Sequence, residues 1–163
     1  MVGLIMAAGK GSRIASETQN LPKSFLKLGP KKLIDHQVDT LLENGIEKII
    51  IVTGFKSDLI QEYYKNSGFL FVKNPFYEIT NVLASVWFAI DHISEGFYFM
   101  HADTFFEPKI FTDLMNKKGD VVLSVSKKKT VEEDMKVIVK NSFIKLINKE
   151  MDCSKAYGEF IGL

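Results

Sequence analysis

The residues with the clearest chemical potential form one segment near the start of the chain, Leu4-Ile5-Met6-Ala7-Ala8-Gly9-Lys10-Gly11-Ser12-Arg13. An apolar run leads there into small residues, two glycines, a hydroxyl and two cations. Small residues allow a ligand to approach the backbone closely, and consecutive N–H groups form a concavity that binds anions. Lys10 and Arg13 add positive charge that suits phosphates. The segment therefore predicts a phosphate-binding turn at the carboxyl end of a strand, where open α/β sheets bind ligands.

Two common phosphate-binding motifs are excluded at this turn. A P-loop requires a glycine where this chain has Leu4, and a Ser or Thr where Gly11 follows Lys10. The dinucleotide-binding pattern requires a third glycine where this chain has Ile14, and its ribose-binding acid is missing after Thr53. By itself, the glycine turn leaves a structural and a phosphate-binding role equally open.

Two further residues have types that suit phosphate chemistry. Lys23 follows the turn in the segment Leu21-Pro22-Lys23, and its spacing favours contact with a phosphate over a role as a surface lysine. Asp103 closes a predicted strand, where a lone Asp either shapes a turn or binds a metal ion. One carboxylate together with substrate phosphates is enough to begin a Mg²⁺ site.

The order of these elements resembles the nucleotidylyltransferase superfamily, whose members open with Leu-x-Ala-x-Gly-x-Gly-x-Arg followed by Pro-Lys. The resemblance implies that Lys23 and Arg13 are catalytic and that Asp103 holds Mg²⁺. In that superfamily the metal motif is usually Asp-x-Asp. Here His101 replaces the first Asp and is interpreted as structural. The resemblance also implies a set of nucleotide-binding residues in the turn: Ala7, Ala8, Gly9, Lys10, Gly11, Ser12 and Arg13.

A second segment resembles bacterial CTP:phosphocholine cytidylyltransferases and their relatives. It comprises Asn74-Pro75-Phe76-Tyr77 and the run from Thr80 to Ala89. The resemblance implies that Asn81 and Ser85 bind the pyrimidine nucleotide, and a helix would turn both to one side because they are four residues apart. The alternative is that Asn81 caps the helix while Ser85 only packs.

These resemblances imply an enzyme that transfers CMP from CTP, or NMP from another NTP, to a phosphorylated small molecule such as phosphocholine. The reaction releases pyrophosphate and uses Mg²⁺. Three alternatives stay open: a sugar-1-phosphate nucleotidylyltransferase, an aminoalkylphosphonate nucleotidylyltransferase, and a nucleotide-binding module without turnover. The sequence predicts neither the acceptor-binding residues nor the oligomeric state.

Alternating apolar runs and amphipathic stretches must position these residues. β-Branched composition and helical spacing predict strands and helices in alternation through the first two thirds of the chain. The predicted strands cover residues 2–7, 48–53, 68–72 and 97–102, and the predicted helices cover 33–44, 58–64, 81–90 and a stretch from Pro108. Shorter strands are predicted at 121–125, 135–139 and 143–147, with a turn at Asn141-Ser142.

This pattern predicts an α/β fold, a three-layer sandwich with a mostly parallel, Rossmann-like central sheet and a β-rich C-terminal part. We expect a single nucleotidyltransferase domain over residues 1–163. The apolar ending Phe160-Ile161-Gly162-Leu163 reads as a strand that stops abruptly, from which we expect a domain truncated at its C-terminus.

Composition limits the classes of partner. The 163 residues carry a formal net charge of +1, which gives no bulk reason to expect binding to nucleic acid or to a membrane. Cys153 is the only cysteine, so an internal disulfide is impossible. The apolar start is too short for a signal peptide and leads directly into Lys10 and Arg13. The cytoplasm is the expected location.

Overall fold

The computed structural model describes residues 1–11 and 20–163. These residues form two compact units, unit 1 (Met1–Phe106) and unit 2 (Glu107–Leu163), which are described separately. Ser12 and Arg13 lie outside the described residues. The expectation of one domain over 1–163 stays a prediction, because two compact units can belong to a single domain.

Unit 1 alternates strands and helices. Its strands are Val2–Ala7 (β1), Lys27–Leu28 (β2), Lys31–Lys32 (β3), Ile49–Thr53 (β4), Leu70–Lys73 (β5) and Phe97–His101 (β6). Its α-helices are Leu33–Glu43 (α1), Ser57–Tyr63 (α2) and Val82–Ala89 (α3), and single 3₁₀ turns cover Lys23–Phe25 and Ile90–His92. Every strand and helix predicted in this part is present, with ends that shift by one or two residues.

The central sheet of unit 1 is parallel and has the strand order β5-β4-β1-β6. The two inner strands, β1 and β4, are buried at every position, as the unbroken apolar runs predict for strands covered on both faces. Parallel pairing aligns the carboxyl ends of β1 and β6, so that Met6 stands beside His101. This edge lies directly before the glycine turn.

Helices cover both faces of this sheet. On one face, Leu4, Met6 and Val52 form a buried cluster with Ala89 of α3. On the other face, α1 lies so close to β1 that a Cβ on Gly3 would stand 2.5 Å from Leu41 Cδ1. Helix, sheet and helix form three layers, which confirms the predicted fold class.

Unit 2 contains one helix and an antiparallel sheet. The helix is Pro108–Met115 (α4), with proline in its first turn as predicted, and a 3₁₀ turn covers Cys153–Lys155. The strands are Val125–Ser126 (β7), Lys136–Lys140 (β8), Phe143–Asn148 (β9) and Gly158–Phe160 (β10), in the order β7-β10-β8-β9. Asn141 and Ser142, with φ of 52° and 63°, form the predicted turn between β8 and β9.

Two strand predictions in unit 2 were wrong in their bounds. Of residues 121–125, only Val125 belongs to a strand, and Val121 is 78% exposed. The final strand ends at Phe160 instead of extending over 160–163. Gly162 has a φ of 81°, which turns the backbone away from extended geometry. The backbone hydrogen bonds of Ser124 to Ile161 and Leu163 therefore do not continue a regular ladder.

A buried lysine joins two loops of unit 2. Lys136 is only 1% exposed. Its ammonium group donates to three backbone oxygens: Glu132 O at 2.8 Å, Asp134 O at 3.4 Å and Lys149 O at 2.5 Å. These bonds use all three donors of the ammonium group, which offsets the cost of removing it from water.

Within the ranges 1–11 and 20–163, none of the helices has the length and apolar character needed to cross a membrane.

Candidate active site

A cavity of about 490 Å³ opens in unit 1 at the carboxyl ends of β1 and β6. It brings together most of the residues that the sequence predicted: Ala7, Ala8, Gly9, Gly11, Lys23, Asn81, Ser85 and Asp103. Residues that the sequence did not assign to a site also line it: Met6, Ser24, Tyr77, Thr80, Val82, His101 and Ala102. Segments from opposite ends of unit 1 therefore converge on one space.

At Gly11, the glycine turn has a backbone conformation that residues with side chains rarely adopt. Gly11 has a φ of 64°, and a Cβ there would lie 3.1 Å from Lys23 Cβ. A Cβ on Gly9 would meet no atom within 4 Å, which leaves room for a ligand beside its backbone. The segment that follows β4 holds the glycine turn in place, because Phe55 N donates to Ala8 O at 3.0 Å.

Lys23 and Asp103 form an ion pair in the cavity. Lys23 Nζ lies 2.5 Å from Asp103 Oδ2, and the two side chains are 39% and 34% exposed. Asp103 stands in a turn after β6, closed by the bond from Thr104 N to His101 O at 3.1 Å. We call Gly9, Gly11, Lys23 and Asp103 the charged wall of the cavity.

An aromatic contact anchors the 3₁₀ turn that begins with Lys23. The ammonium of Lys32 lies 3.7 Å from the centre of the Phe25 ring and 3.1 Å from that of Tyr63 in α2. Burial lowers the pKa of Lys32, against the effect of Asp35. The cation therefore joins the Lys23–Phe25 turn to α2 through two ring faces.

Of the remaining predicted residues of the turn, only Lys10 belongs to the part of the chain that the structure describes. Lys10 does not line the cavity; its side chain is 54% exposed and its Nζ lies 4.0 Å from Glu78 Oε1. Its role at a phosphate stays a prediction. The predicted roles of Ser12 and Arg13 also stay predictions, because both residues lie outside the described part of the chain.

Neutral hydrogen-bonding side chains also line the cavity, those of Thr80, Asn81 and Ser85. The fully buried Asn74 donates through Nδ2 to Thr80 Oγ1 at 3.0 Å and to Ser85 Oγ at 2.9 Å. Its Oδ1 accepts from Phe76 N at 2.9 Å. One amide thus holds the loop after β5 and the first turns of α3 together. We call Thr80, Asn81 and Ser85, together with Asn74, which does not line the cavity but holds Thr80 and Ser85, the amide wall.

Asn81 begins α3 as the sequence predicted. Its Oδ1 accepts from Leu83 N at 3.1 Å and from Ala84 N at 3.3 Å, which satisfies two donors of the first turn. Asn81 therefore caps the helix and also lines the cavity. Because Oδ1 is used by the cap, the side chain has only Nδ2 to offer a ligand.

His101 is a cavity residue that sequence reasoning interpreted as structural. Its ring packs edge-on against Phe99, with ring centres 5.0 Å apart. Burial lowers the pKa of His101 below its usual value of about 6.5. The Asp103 carboxylate acts against this shift and the Lys23 ammonium adds to it. A largely neutral ring at pH 7 therefore lies beside the ion pair.

Two signals could have identified some of the missed residues. Asn74 precedes Pro75 at the end of a predicted strand, which is a position for a side chain that organises a loop. His101 ends β6 two residues before Asp103, which places both residues at the carboxyl edge of the sheet. Tyr77 belongs to the segment that resembles cytidylyltransferases, but nothing in the sequence gave it a place in the site. Its proximity to Gly54, where a Cβ would lie 2.7 Å from the tyrosine ring, depends on the tertiary fold.

Asp103 is the one carboxylate among the described residues that line the cavity. Among those residues, no group of three or more His, Cys, Asp or Glu side chains could hold a metal ion. A metal held entirely by protein side chains does not fit this site. A Mg²⁺ ion that arrives with phosphate oxygens does fit, because such ions need only one or two carboxylates from the protein.

Comparisons with known proteins identify relatives for this arrangement. The chain is 30% identical over 111 residues to choline-phosphate cytidylyltransferase of Streptococcus pneumoniae, a match that covers 68% of this chain and 48% of that protein. It is 29% identical over 124 residues to UTP–glucose-1-phosphate uridylyltransferase of Haloferax volcanii, which covers 75% and 48%. The chain thus spans about half the length of the curated relatives that it matches.

The fold is also found in solved structures. The inositol-1-phosphate CTP transferase from T. maritima superposes with a TM-score of 0.83 at 24% sequence identity, over 99% of this chain and 68% of that one. The model of the MobA-like NTP transferase domain matches residues 3–148, which include the glycine turn, both walls of the cavity and most of unit 2. The chain belongs to the family of MobA-like NTP transferase domains.

Proposed function

We propose that this chain transfers CMP from CTP to a phosphorylated small molecule such as phosphocholine and releases pyrophosphate. The observation that carries the proposal is the meeting of the charged wall and the amide wall in one cavity. Its volume of about 490 Å³ lies within the usual range for small-molecule sites. A wall that suits phosphates and a wall of neutral hydrogen-bonding groups in one cavity suit the two ends of a nucleotide.

The reaction is an in-line displacement at phosphorus. An oxygen of the acceptor's phosphate forms a bond to the α-phosphorus of CTP, and the bond from that phosphorus to the bridging oxygen breaks. The electron pair of that bond leaves with pyrophosphate. Little proton transfer is required, so positioning and charge stabilisation account for most of the rate.

The charged wall supplies both the positioning of the phosphates and the stabilisation of their charge. N–H groups of the glycine turn hold the phosphates, and the Lys23 ammonium stabilises the negative charge that develops at the α-phosphate. Arg13 would add a second cation. Asp103 and phosphate oxygens of the nucleotide would hold Mg²⁺, which when bound neutralises phosphate charge. Since Lys23 Nζ contacts Asp103 Oδ2, Lys23 and a metal ion compete for that oxygen.

The amide wall supports cytosine over uracil. Ser85 Oγ accepts from Asn74, which leaves the Ser85 hydroxyl hydrogen free to donate. The Oδ1 of Asn81 is used by the helix cap, which leaves Nδ2 to donate. The two side chains therefore present donors. Cytosine offers adjacent acceptors at O2 and N3, whereas N3 of uracil carries a hydrogen.

A second acceptor class deserves the same test. The uridylyltransferase relative acts by its name on glucose-1-phosphate, and its 29% identity to this chain nearly equals the 30% of the choline-phosphate enzyme. A sugar-1-phosphate is therefore the second candidate acceptor, and an aminoalkylphosphonate is the third.

The experiment is a screen of pyrophosphate release with four NTPs against phosphocholine, glucose-1-phosphate and an aminoalkylphosphonate. We expect the highest rate with CTP and phosphocholine. A higher rate with UTP and glucose-1-phosphate would replace the proposed substrates with the second candidate. Calorimetry with CTP and with a nonhydrolysable analogue tests the alternative of a binding module without turnover. Such a module would bind both nucleotides but release no pyrophosphate. No binding of any NTP would overturn the proposal.

A further inference from the structure

Gln37 of α1 contacts the turn that carries Asp103. The residue is 1% exposed, and its Nε2 donates to two backbone oxygens, His101 O and Thr104 O, the latter at 2.8 Å. These two oxygens flank Asp103 on either side. One buried amide therefore bridges the turn at the end of β6.

The orientation of this amide follows from its partners. Both neighbours are carbonyl oxygens, which can only accept, so the nitrogen of the side chain must face them. The Oε1 atom of Gln37 is buried and has no hydrogen-bond partner among the described residues. An unpaired buried acceptor disfavours folding. Neither carbonyl oxygen can pair with Oε1, because both are acceptors. The two hydrogen bonds from Nε2 to the turn are therefore the contacts that offset the cost of burying Oε1.

Helix α1 is itself fixed relative to both members of the ion pair. Its Leu41 packs against Gly3 of β1, and Leu33 N at its start donates to Leu26 O at 2.9 Å. Leu26 follows the 3₁₀ turn that begins with Lys23. The same helix thus joins the segment that carries Lys23 to the turn that carries Asp103.

We infer that Gln37 is a positioning residue that holds the Asp103 carboxylate opposite Lys23. It acts through the backbone of residues 101–104 and touches neither phosphate nor metal. This inference deepens the proposed function and rests on it for the consequence in catalysis. Its geometric part concerns the protein alone and can be tested without substrate.

The first test measures the proximity of the ion pair in Gln37→Met, which keeps the side-chain length and removes the two donors. A zero-length carbodiimide condenses a carboxylate with a neighbouring amine, forms an amide and takes up the water that is lost. We expect a Lys23–Asp103 cross-link in the wild type, detected by peptide mapping. Its yield should fall about fivefold or more in Gln37→Met, because the loss of one ordinary hydrogen bond typically shifts an equilibrium by about fivefold.

Two controls separate positioning from general damage. The pair of Lys31 and Asp39 lies 2.6 Å apart, and Asp39 belongs to α1, so its cross-link serves as an internal reference. Thr40→Val removes another buried polar group of α1, whose Oγ1 donates to His36 O at 2.8 Å and not to the Asp103 turn. We expect both cross-links to form normally in Thr40→Val, and the Lys31–Asp39 cross-link to persist in Gln37→Met.

The second test measures cation dependence. If the positioning matters for the site, the Mn²⁺ concentration needed for half-maximal binding of a nonhydrolysable CTP analogue should rise about 10-fold in Gln37→Met and stay unchanged in Thr40→Val. Unchanged cross-linking and an unchanged Mn²⁺ requirement in a folded Gln37→Met protein would overturn the inference. If the wild type binds no nucleotide, the proposed function fails, while the cross-linking result still decides the geometry.

A measurement on the wild type covers the case in which Gln37→Met does not fold. Two hydrogen bonds predict that both side-chain N–H signals of Gln37 exchange slowly with solvent in nuclear magnetic resonance spectra. Slow exchange of both supports the bridge across the turn. Rapid exchange of both would overturn it.

Discussion

The two walls of the cavity are built on opposite principles. The charged wall has a close pair of full charges, and both side chains are more than a third exposed to solvent. The amide wall has no charge, and its central residue, Asn74, is fully buried with every side-chain atom that can hydrogen-bond in use. One wall is held by an interaction that a ligand can exchange, the other by a network that is complete before a ligand binds.

This difference assigns different tasks to the two walls. An exposed ion pair contributes little to stability, so Lys23 and Asp103 can separate and turn to a phosphate or a cation at small cost. Breaking a buried network leaves several groups without partners, so the amide wall keeps its shape. Substitutions in the charged wall should therefore affect turnover and cation dependence, whereas those in the amide wall should affect stability as well.

The largest effect is expected for Lys23→Ala. Removing a preorganised cation from the transition state should lower turnover about 100-fold or more, with little change in the free energy of unfolding. The measurement is pyrophosphate release together with urea unfolding. Lys31→Ala is the matched control, because Lys31 forms an ion pair of similar length outside the cavity. Equal turnover of both variants would remove the distinction between the walls.

Asp103→Asn should have the next largest effect. We expect an increase of about 10-fold or more in the Mg²⁺ concentration needed for nucleotide binding, because Asn keeps the shape but not the charge of the ligand. Calorimetric measurements of nucleotide binding over a range of Mg²⁺ concentrations determine this requirement. Asp39→Asn is the control, since it removes the partner of Lys31 instead. An unchanged titration would assign Asp103 to turn geometry alone.

Asn74→Leu tests the amide wall through stability. The substitution leaves Phe76 N, Thr80 and Ser85 without their amide partner, and should lower the free energy of unfolding by about 1–3 kcal/mol. Urea unfolding measures the loss. The exposed Asn116 of unit 2 provides the comparison, and Asn116→Ala should cost about 0.5 kcal/mol or less. If both variants cost the same, the network does not stiffen the amide wall.

The smallest effect concerns pH and His101, which lines the cavity beside the ion pair. Because burial lowers its pKa in the folded state, the unfolded chain binds more protons below pH about 6.5. The stability linked to His101 is therefore fully present above that pH and is lost as the pH falls through the folded-state pKa. His101→Asn should show a shallower loss of stability between about pH 7 and pH 5 than the wild type does. Identical slopes would contradict the burial effect.

The sequence predicted unit 1 better than unit 2, for a physical reason. The strands β1 and β4 are buried on both faces, so their apolar runs are unbroken and have no alternative reading. In unit 2, the apolar stretch at 121–125 begins with Val121, which is 78% exposed, and only Val125 belongs to a strand. The hydrophobic pattern identifies buried strands, but it does not predict the bounds of short strands that are half exposed.

The candidate site was predictable where function depends on residue type along a local segment. The glycines, Lys23 and Asp103 each follow a strand or turn signal that the sequence displays. Gln37, Asn74 and Tyr77 act through contacts with residues distant in the chain or with a folded loop. Their roles became visible only once α1, β5 and the loop after it had been positioned.

The three carbonyl partners of Lys136 have a consequence for the chemistry of the chain. An acylating reagent must reach the amine nitrogen, and the Lys136 nitrogen is buried and enclosed by three carbonyl oxygens. Lys136 is therefore shielded from acylating reagents while unit 2 is closed, unlike the exposed lysines around it. Its modification would report each moment at which the loops around Glu132 and Lys149 separate, so this residue is a built-in probe of local opening.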